Sequence, residues 1–353
     1  MISIKVPARV CFFGDHQDYL GLPVIAGTIN RFIELKAAPI SEQEFRLDLK
    51  DIGRTRTIHL NRTLGTVAPK DYLGAAMAIL DQRGFEFKRG YGIEISGNIP
   101  VNAGLSSSSA LSVAWIRFLI AIQEKEIHVT DAEVGQLAYE SEVTFFGGPG
   151  GLMDQYTIAQ QGLLFIDTEK GRTESLGGNL GQLVVAESGI SKKTLDVLQN
   201  ARTYQEKAIK EVKEKNPSFD IHKASPIDHE KYNDTISAPY KAYWYAAIHN
   251  YDITLRARKH LILENPNVVE LGRLMDQHQK ILENKIGNTP KKMIEMMNAA
   301  RRAGAIGAKT IGSGGGGCMV AMVSDHTKTS VIETFMQNGA KDAYEVELTY
   351  PSI

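Results

Sequence analysis

Cysteine is scarce in this 353-residue chain: Cys11 and Cys318 are the only two. Two thiols cannot build a disulfide framework or a zinc site, so a reduced, cytoplasmic protein is expected. Charge of one sign is also missing. Forty Lys+Arg stand against 41 Asp+Glu, a formal charge of -1, and no long run of either sign occurs. Such a balance excludes the electrostatic footprint of a nucleic-acid binder. No stretch approaches the roughly 18 to 20 uncharged apolar residues of a transmembrane helix, so no membrane partner is expected. Residues Met1 to Pro7 lack a basic segment followed by an apolar core, and a signal peptide is not expected. Neither a Gly-Lys-Ser/Thr phosphate loop nor a dinucleotide fingerprint is present.

What is there is ordinary globular material, 43% apolar, 23% charged and 8% aromatic. The length suggests two domains. In the first half strands and helices mix without regular alternation. Ile2–Val10, Pro23–Ala38, Arg46–Leu60 and Tyr91–Ser96 read as strands, and Lys70–Gln82 and Ala110–Gln123 as helices. A further helix starts at Asp131, with Thr130 as its N-cap. Gly162–Thr168 and Gln182–Glu187 read as two strands of one hairpin or meander. From Ser191 the pattern turns mainly helical, with helices over Lys192–Lys215, Pro239–Leu263, Val268–Asn284 and Pro290–Ala303 around a polar stretch, Asn216–Thr235. The strand Cys318–Val323, a helix over Thr329–Gly339 and a last strand, Tyr344–Thr349, complete an α+β half. The change of pattern puts a boundary between residues 170 and 190.

Four segments carry chemistry. Pro100 to Leu111 lies between a strand and an apolar helix and holds Gly104, Leu105, Ser106, Ser107, Ser108 and Ser109. Four serines in a row are poor helix interior, because their hydroxyls compete for the backbone. At a helix N-terminus those hydroxyls and the free N–H groups instead point at anions, and the dipole favours negative charge there. A serine hydroxyl can also ligate Mg²⁺, which takes oxygen ligands. The same stretch also reads as a loop that merely caps a helix. Gly312 to Cys318 contains four consecutive glycines, which suit a close approach to the backbone or a flexible turn.

Asp15, His16 and Asp18 share one turn after a strand that carries Arg9. Short carboxylates flanked by glycines suit a polyhydroxylated ligand, and equally an Asx-type turn. Gly150 to Gln155 follows the helix that carries Glu142, and its Asp154 has apolar neighbours. Burial would make that carboxylate a better base, and a nearby cation would oppose this. A helix N-cap is the alternative.

Together these segments resemble the GHMP kinases, the superfamily of galactokinase, homoserine kinase, mevalonate kinase and phosphomevalonate kinase. Its three motifs are matched in order by Pro7–Gly21, Pro100–Leu111 and Gly312–Cys318. Gly14-Asp15-His16-Gln17-Asp18-Tyr19 is similar to the galactokinase signature Gly-Glu-His-Thr-Asp-Tyr, and Gly151-Leu152-Met153-Asp154-Gln155 to its Gly-Ile-Met-Asp-Gln. The resemblance implies a two-domain α+β fold with the active site in the cleft between the domains. Residues 1–180 would form a ribosomal-protein-S5-like N-terminal domain and 181–353 a ferredoxin-like C-terminal one. It implies ATP and Mg²⁺ as cofactors and a small-molecule acceptor, with no nucleic-acid or membrane partner.

The resemblance also implies roles. Asp154 would sit beside the anomeric hydroxyl of a sugar, with Arg9 near it and the γ-phosphate. Ser108 and Glu142 would ligate Mg²⁺, and Gly104 to Ser109 would cradle phosphate. Asp15, His16, Asp18 and Gly151 would contact sugar hydroxyls. The implied reaction is phosphorylation of a monosaccharide hydroxyl, at C1 of galactose or a related sugar. Alternatives are a uronic acid, an N-acetylhexosamine, a heptose phosphate, mevalonate, or a catalytically silent sugar sensor. Asp15 stands where galactokinases carry Glu, one methylene longer, and Gln17 stands where they carry Thr.

Overall fold

The computed structural model describes residues 1–60, 67–191 and 194–351. The chain runs through β1 (Ile2–Phe13), β2 (Val24–Pro39), β3 (Glu44–Leu49), β4 (Arg54–His59), α1 (Tyr72–Gln82), β5 (Tyr91–Gly97), α2 (Ser107–Ala121), α3 (Asp131–Glu142), α4 (Met153–Gln160), β6 (Leu163–Asp167) and β7 (Arg172–Ser175). It continues through β8 (Gln182–Glu187), α5 (Thr194–Lys215), α6 (Pro226–Tyr232), α7 (Lys241–Leu261), α8 (Val268–Ile281), α9 (Lys291–Arg302), β9 (Gly307–Thr310), β10 (Cys318–Val323), α10 (Lys328–Gln337) and β11 (Asp342–Val346).

The strands form two sheets. In the first, β4-β3-β5-β2-β6-β7 lie side by side and β1 pairs with β2 along its other edge. Only β3 and β5 are parallel there. The second sheet, β11-β8-β10-β9, is antiparallel throughout. With helices between β8 and β9 and between β10 and β11, that order is the ferredoxin-like arrangement. A single apolar core joins the halves, since Val10 and Phe12 of β1 belong to the same buried cluster as Leu183, Val320 and Ile311. We propose a boundary at 180/181, where the chain passes from one sheet to the other. The C-terminal segment crosses back, because Thr349 bonds to the carbonyl of Thr28 in β2.

Several elements differ from the pattern reading, each for a local reason. The strand expected over 46–60 is a hairpin, turned at Gly53 with φ 59°. Gln182–Glu187 does not pair with the strand at 163–167. β6 takes β2 and the short polar strand β7 as neighbours, and β8 lies in the second sheet between β10 and β11. The polar stretch 216–235 contains α6, started by Pro226 at its first position and a Ser225/Asp228 capping box. α2 begins at Ser107 rather than Ala110, so the serines form its first turn. Thr130 caps α3 as expected, in a reciprocal box with Glu133. Lys192, the first residue of the helix expected over 192–215, lies outside the described residues.

Candidate active site

The centre of the site is a carboxylate held by one guanidinium. Arg9, on β1, donates through Nε to Asp154 Oδ1 at 2.7 Å and through Nη2 to Oδ2 at 2.7 Å. Its Nη1 donates to the carbonyl of Gly104 at 2.7 Å. A planar fork suits this bidentate geometry, which a lysine could not reproduce. Ser106 adds a hydrogen bond from its hydroxyl to Asp154 Oδ2. The Arg9 side chain is 4% exposed and that of Asp154 27%, so the pair sits at the inner wall of an opening. Asp154 is therefore in direct contact with the serine-rich turn.

That opening is a cleft of about 360 Å³. Arg9, Asp15, His16 and Asp18 line it from the first sheet's side, Ser108, Ser109 and Glu142 from α2 and α3, and Gly312 and Ser313 from the turn after β9. The first turn of α2 presents its backbone N–H groups here. Ser106 has φ 58° and makes no side-chain cap, since its hydroxyl is spent on Asp154. The four first N–H groups of a helix have no partner within it, so a helix start without a cap offers them to an anion. Leu105 is fully buried and contributes only backbone. The glycine run of the third motif packs onto this turn. Cys318 N donates to the carbonyl of Ala103 at 2.7 Å, and a Cβ at Gly317, where φ is 85°, would stand 2.5 Å from that oxygen.

The serines divide by helix phase. Ser109 is buried and donates to Glu142 Oε2 at 2.8 Å, and Gln155 donates to the same oxygen at 2.9 Å. Ser108 is exposed and lines the cleft beside Glu142. Glu142 Oε1 is buried without a hydrogen-bond partner. Burial pushes the Glu142 carboxyl up to about 7, against hydrogen bonds from Ser112, Ser109 and Gln155 and with help from the charge of Asp154. Among the described residues no cluster of three or more His, Cys, Asp or Glu side chains gathers as a metal cage.

At the other end lie the first-loop acids. Burial, then the charge of Asp154, raise Asp18 to about 7. Gly151 lies directly against it, and a Cβ there would stand 2.1 Å from Asp18 Oδ2 and 2.9 Å from its Cβ. Gly151→Ala therefore displaces Asp18. We expect it to raise the acceptor KM at least about tenfold while the ATP KM stays near wild type, a split that steady-state kinetics reads directly.

The raised Asp18 also bears on stability. Its carboxyl holds a proton in the folded state up to about pH 7 that the unfolded chain has already released, so ionising it in place weakens the fold as pH rises through that window. Asp18→Asn has no such loss. Its melting temperature relative to wild type should climb between pH 5 and pH 8, and a flat difference would show that Asp18 ionises freely.

His16, with φ 63°, is clamped between Ser313 O at 2.9 Å, Asn288 Nδ2 at 3.0 Å and the Tyr19 hydroxyl at 3.2 Å. Asp15 is not an open surface carboxylate: it is enclosed with Lys309, at 2.6 Å. Lys309, Asn288 and Gln155 were not found from sequence. A lysine in the short run Gly307–Ile311, which holds no other charge, is a usable signal, because a lysine buried in a strand needs a carboxylate. Trp115 is core, and Tyr72 lines the cleft. Lys70 lines it too and makes no ion pair among the described residues.

The fold and cleft define a small-molecule kinase, an ATP-dependent phosphotransferase acting on an alcohol group. The chain belongs to the GHMP kinases: the model of the GHMP kinase N-terminal domain matches residues 71–162 and that of the C-terminal domain residues 260–341. It is 28% identical over 333 residues to a mevalonate kinase of Thermococcus gammatolerans, covering 92% of this chain and 90% of that one. It is 25% identical over 367 residues to a galactokinase of Clostridium perfringens, covering 98% and 91%. Among solved structures it is similar to Lactococcus lactis galactokinase complexed with galactose, with a TM-score of 0.85 and 19% identity over 99% of this chain and 95% of that one. Mevalonate kinases and galactokinases are thus both relatives at comparable identity, and the acceptor has to be argued from the cleft. No helix among the described residues is long and apolar enough to cross a membrane.

Proposed function

We propose that this chain is a cytoplasmic sugar kinase that transfers the γ-phosphate of ATP to the anomeric C1 hydroxyl of galactose or a closely related sugar. The observation that carries the reading is the charge distribution at the acceptor end. Asp15, Asp18 and Asp154 meet there, while the Arg9 guanidinium is taken up by Asp154 and the Lys309 ammonium by Asp15. Carboxyl oxygens suit hydroxyl donors, and with both cations paired and Asp18 raised to about 7 little positive charge is left there to receive a carboxylate. Lys70, which makes no ion pair among the described residues, lies with Tyr72 and Ser108, on the side of the serine-rich helix start.

Phosphoryl transfer asks the protein mainly for alignment and charge neutralisation. In this reading the N–H groups that open α2 hold phosphate oxygens, and Arg9 offsets charge on the transferring group. Asp154 already receives Arg9 twice and Ser106 once, so its part is to aim the acceptor hydroxyl and take its proton late. A loose transition state requires no more of a base. The donor set fits Mg²⁺, because Glu142 Oε1 lacks a partner and the Ser108 hydroxyl lines the same cleft, both hard oxygens. A bound Mg²⁺ would neutralise charge on the β- and γ-phosphates.

Release of ADP over a panel of galactose, N-acetylgalactosamine, glucuronate, galacturonate and mevalonate tests the reading. Turnover should favour the neutral sugars. A preference for mevalonate would replace this assignment with that of the other relatives, and a preference for a uronate would show that Lys70 or Arg9 receives a carboxylate.

A further inference from the structure

Lys309, in β9, has no part in the roles given so far, and it is among the most enclosed residues of the protein. Its side chain is 0% exposed and that of Asp15 is 1%. The ammonium donates to Asp15 Oδ2 at 2.6 Å, to the carbonyl of Cys11 at 3.0 Å and to that of Thr310 at 2.5 Å, so all three of its donors are used. Enclosing an ion pair costs desolvation that its attraction barely offsets, and apolar residues of similar volume often stabilise a fold as well or better. Folding alone therefore gives weak grounds for a charged pair at this depth.

The cleft gives stronger grounds. Asp15 lines it, and its second oxygen, Oδ1, is buried without a hydrogen-bond partner. Most of the groups facing this carboxylate are engaged elsewhere. Arg9 is spent on Asp154 and Gly104, and Asp18 is itself an acid beside Asp154. The His16 ring meets Ser313, Asn288 and Tyr19. His278, held to about 3 by burial and by Lys309, is neutral and keeps one ring N–H, and neither of its buried ring nitrogens makes a hydrogen bond. The Cys11 thiol, pushed well up by burial and by the charge of Asp15, donates to the carbonyl of Phe13 at 3.4 Å. Burial alone would push Asp15 up, and the Lys309 ammonium outweighs it, holding the carboxyl below its ordinary range. What results is a fixed, ionised acceptor short of one donor. A buried acceptor left unmade is costly, so a donor that arrives with a ligand is favoured there.

We propose that Lys309 is a positioning residue for acceptor specificity: it holds Asp15 Oδ2 and keeps Oδ1 in place to receive one hydroxyl of a neutral polyol. The proposal rests on the sugar-kinase reading above. It also gives the shortened residue at position 15 a reason, since the lysine reaches across from the second sheet to an aspartate.

The test uses galactose and ATP with wild type, Lys309→Met, Lys309→Arg and the double variant Asp15→Asn/Lys309→Met. Lys309→Met should raise the galactose KM at least about tenfold and leave the ATP KM within about twofold of wild type. Lys309→Arg, which keeps a cation on Asp15, should recover most of that loss. The double variant removes both charges, so it should fold as wild type does and still show the raised galactose KM. It decides the matter if Lys309→Met does not fold. An unchanged galactose KM, or losses spread equally over both substrates and not recovered by arginine, overturns the proposal while leaving the sugar-kinase reading intact. Should wild type turn over mevalonate and no sugar, that reading fails by itself. The same variants with mevalonate then support the positioning role if only the mevalonate KM rises, and overturn it if it does not. A wild type that turns over nothing in the panel overturns both.

Discussion

Replacing Asp154 by asparagine should lower kcat by about 10²- to 10⁴-fold, the range a positioned proton acceptor contributes, or roughly 3–5 kcal/mol of transition-state stabilisation. The substitution keeps the volume and removes the charge. It also reverses one hydrogen bond. Arg9 donates to both oxygens of Asp154, so an amide in its place turns an N–H₂ toward one of two guanidinium donors. The loss should fall on kcat and kcat/KM together, because an aimed hydroxyl and a late proton acceptor matter in the transition state. ATP affinity, read by titration with a non-hydrolysable analogue, should stay near wild type. In the proposed reading the nucleotide's phosphates meet the start of α2, which Asp154 reaches through the Ser106 hydroxyl. Turnover within a few-fold of wild type would remove Asp154 from the chemistry and leave it a structural partner of Arg9.

The fold was legible where one segment decides its own structure. Thr130 with Glu133 three residues on starts α3 whatever lies elsewhere, and the apolar spacing of Tyr72, Leu73, Ala76 and Leu80 makes α1. It was not legible where the partner is remote. Nothing local tells Gln182–Glu187 to leave β6 for β10 and β11, and the four residues Arg172–Ser175 are too polar and too few to read as an edge strand. The site divides in the same way. Motif spacing pointed to Arg9, Asp15, His16, Asp18, Ser108, Glu142, Gly151 and Asp154, which the chain brings to one cleft. Four identical serines carry no phase until the helix start is known. With α2 opening at Ser107, successive side chains turn roughly 100°, and Ser109 points at Glu142 while Ser108 stays in the opening. Lys309 and Asn288 come from the second half and reach residues 15 and 16 across nearly the whole chain, a pairing that composition and periodicity do not encode.

Arg9 should matter nearly as much as Asp154, and for a separable reason. Arg9→Met replaces a buried guanidinium that makes three hydrogen bonds with an apolar side chain of similar length. It removes the Arg9 charge from Asp154, which lies beside Asp18, and frees the Gly104 carbonyl. Asp154 is partly exposed, so water can take the vacated positions and the protein should still fold. We expect kcat to fall about 10²- to 10³-fold, the scale of losing one preorganised donor at a developing charge. Arg9→Lys should recover only part of this, since one ammonium cannot span two carboxylate oxygens and the Gly104 carbonyl in a plane. The decisive measurement is the double variant Arg9→Met/Asp154→Asn. If guanidinium and carboxylate act as one unit, removing the second member adds little to the loss from the first, and the double variant should be within a few-fold of the slower single one. Losses that multiply would mean that Arg9 serves the transferring phosphoryl group independently of Asp154. The bidentate contact would then be a matter of packing, and the γ-phosphate would be the guanidinium's principal partner during transfer.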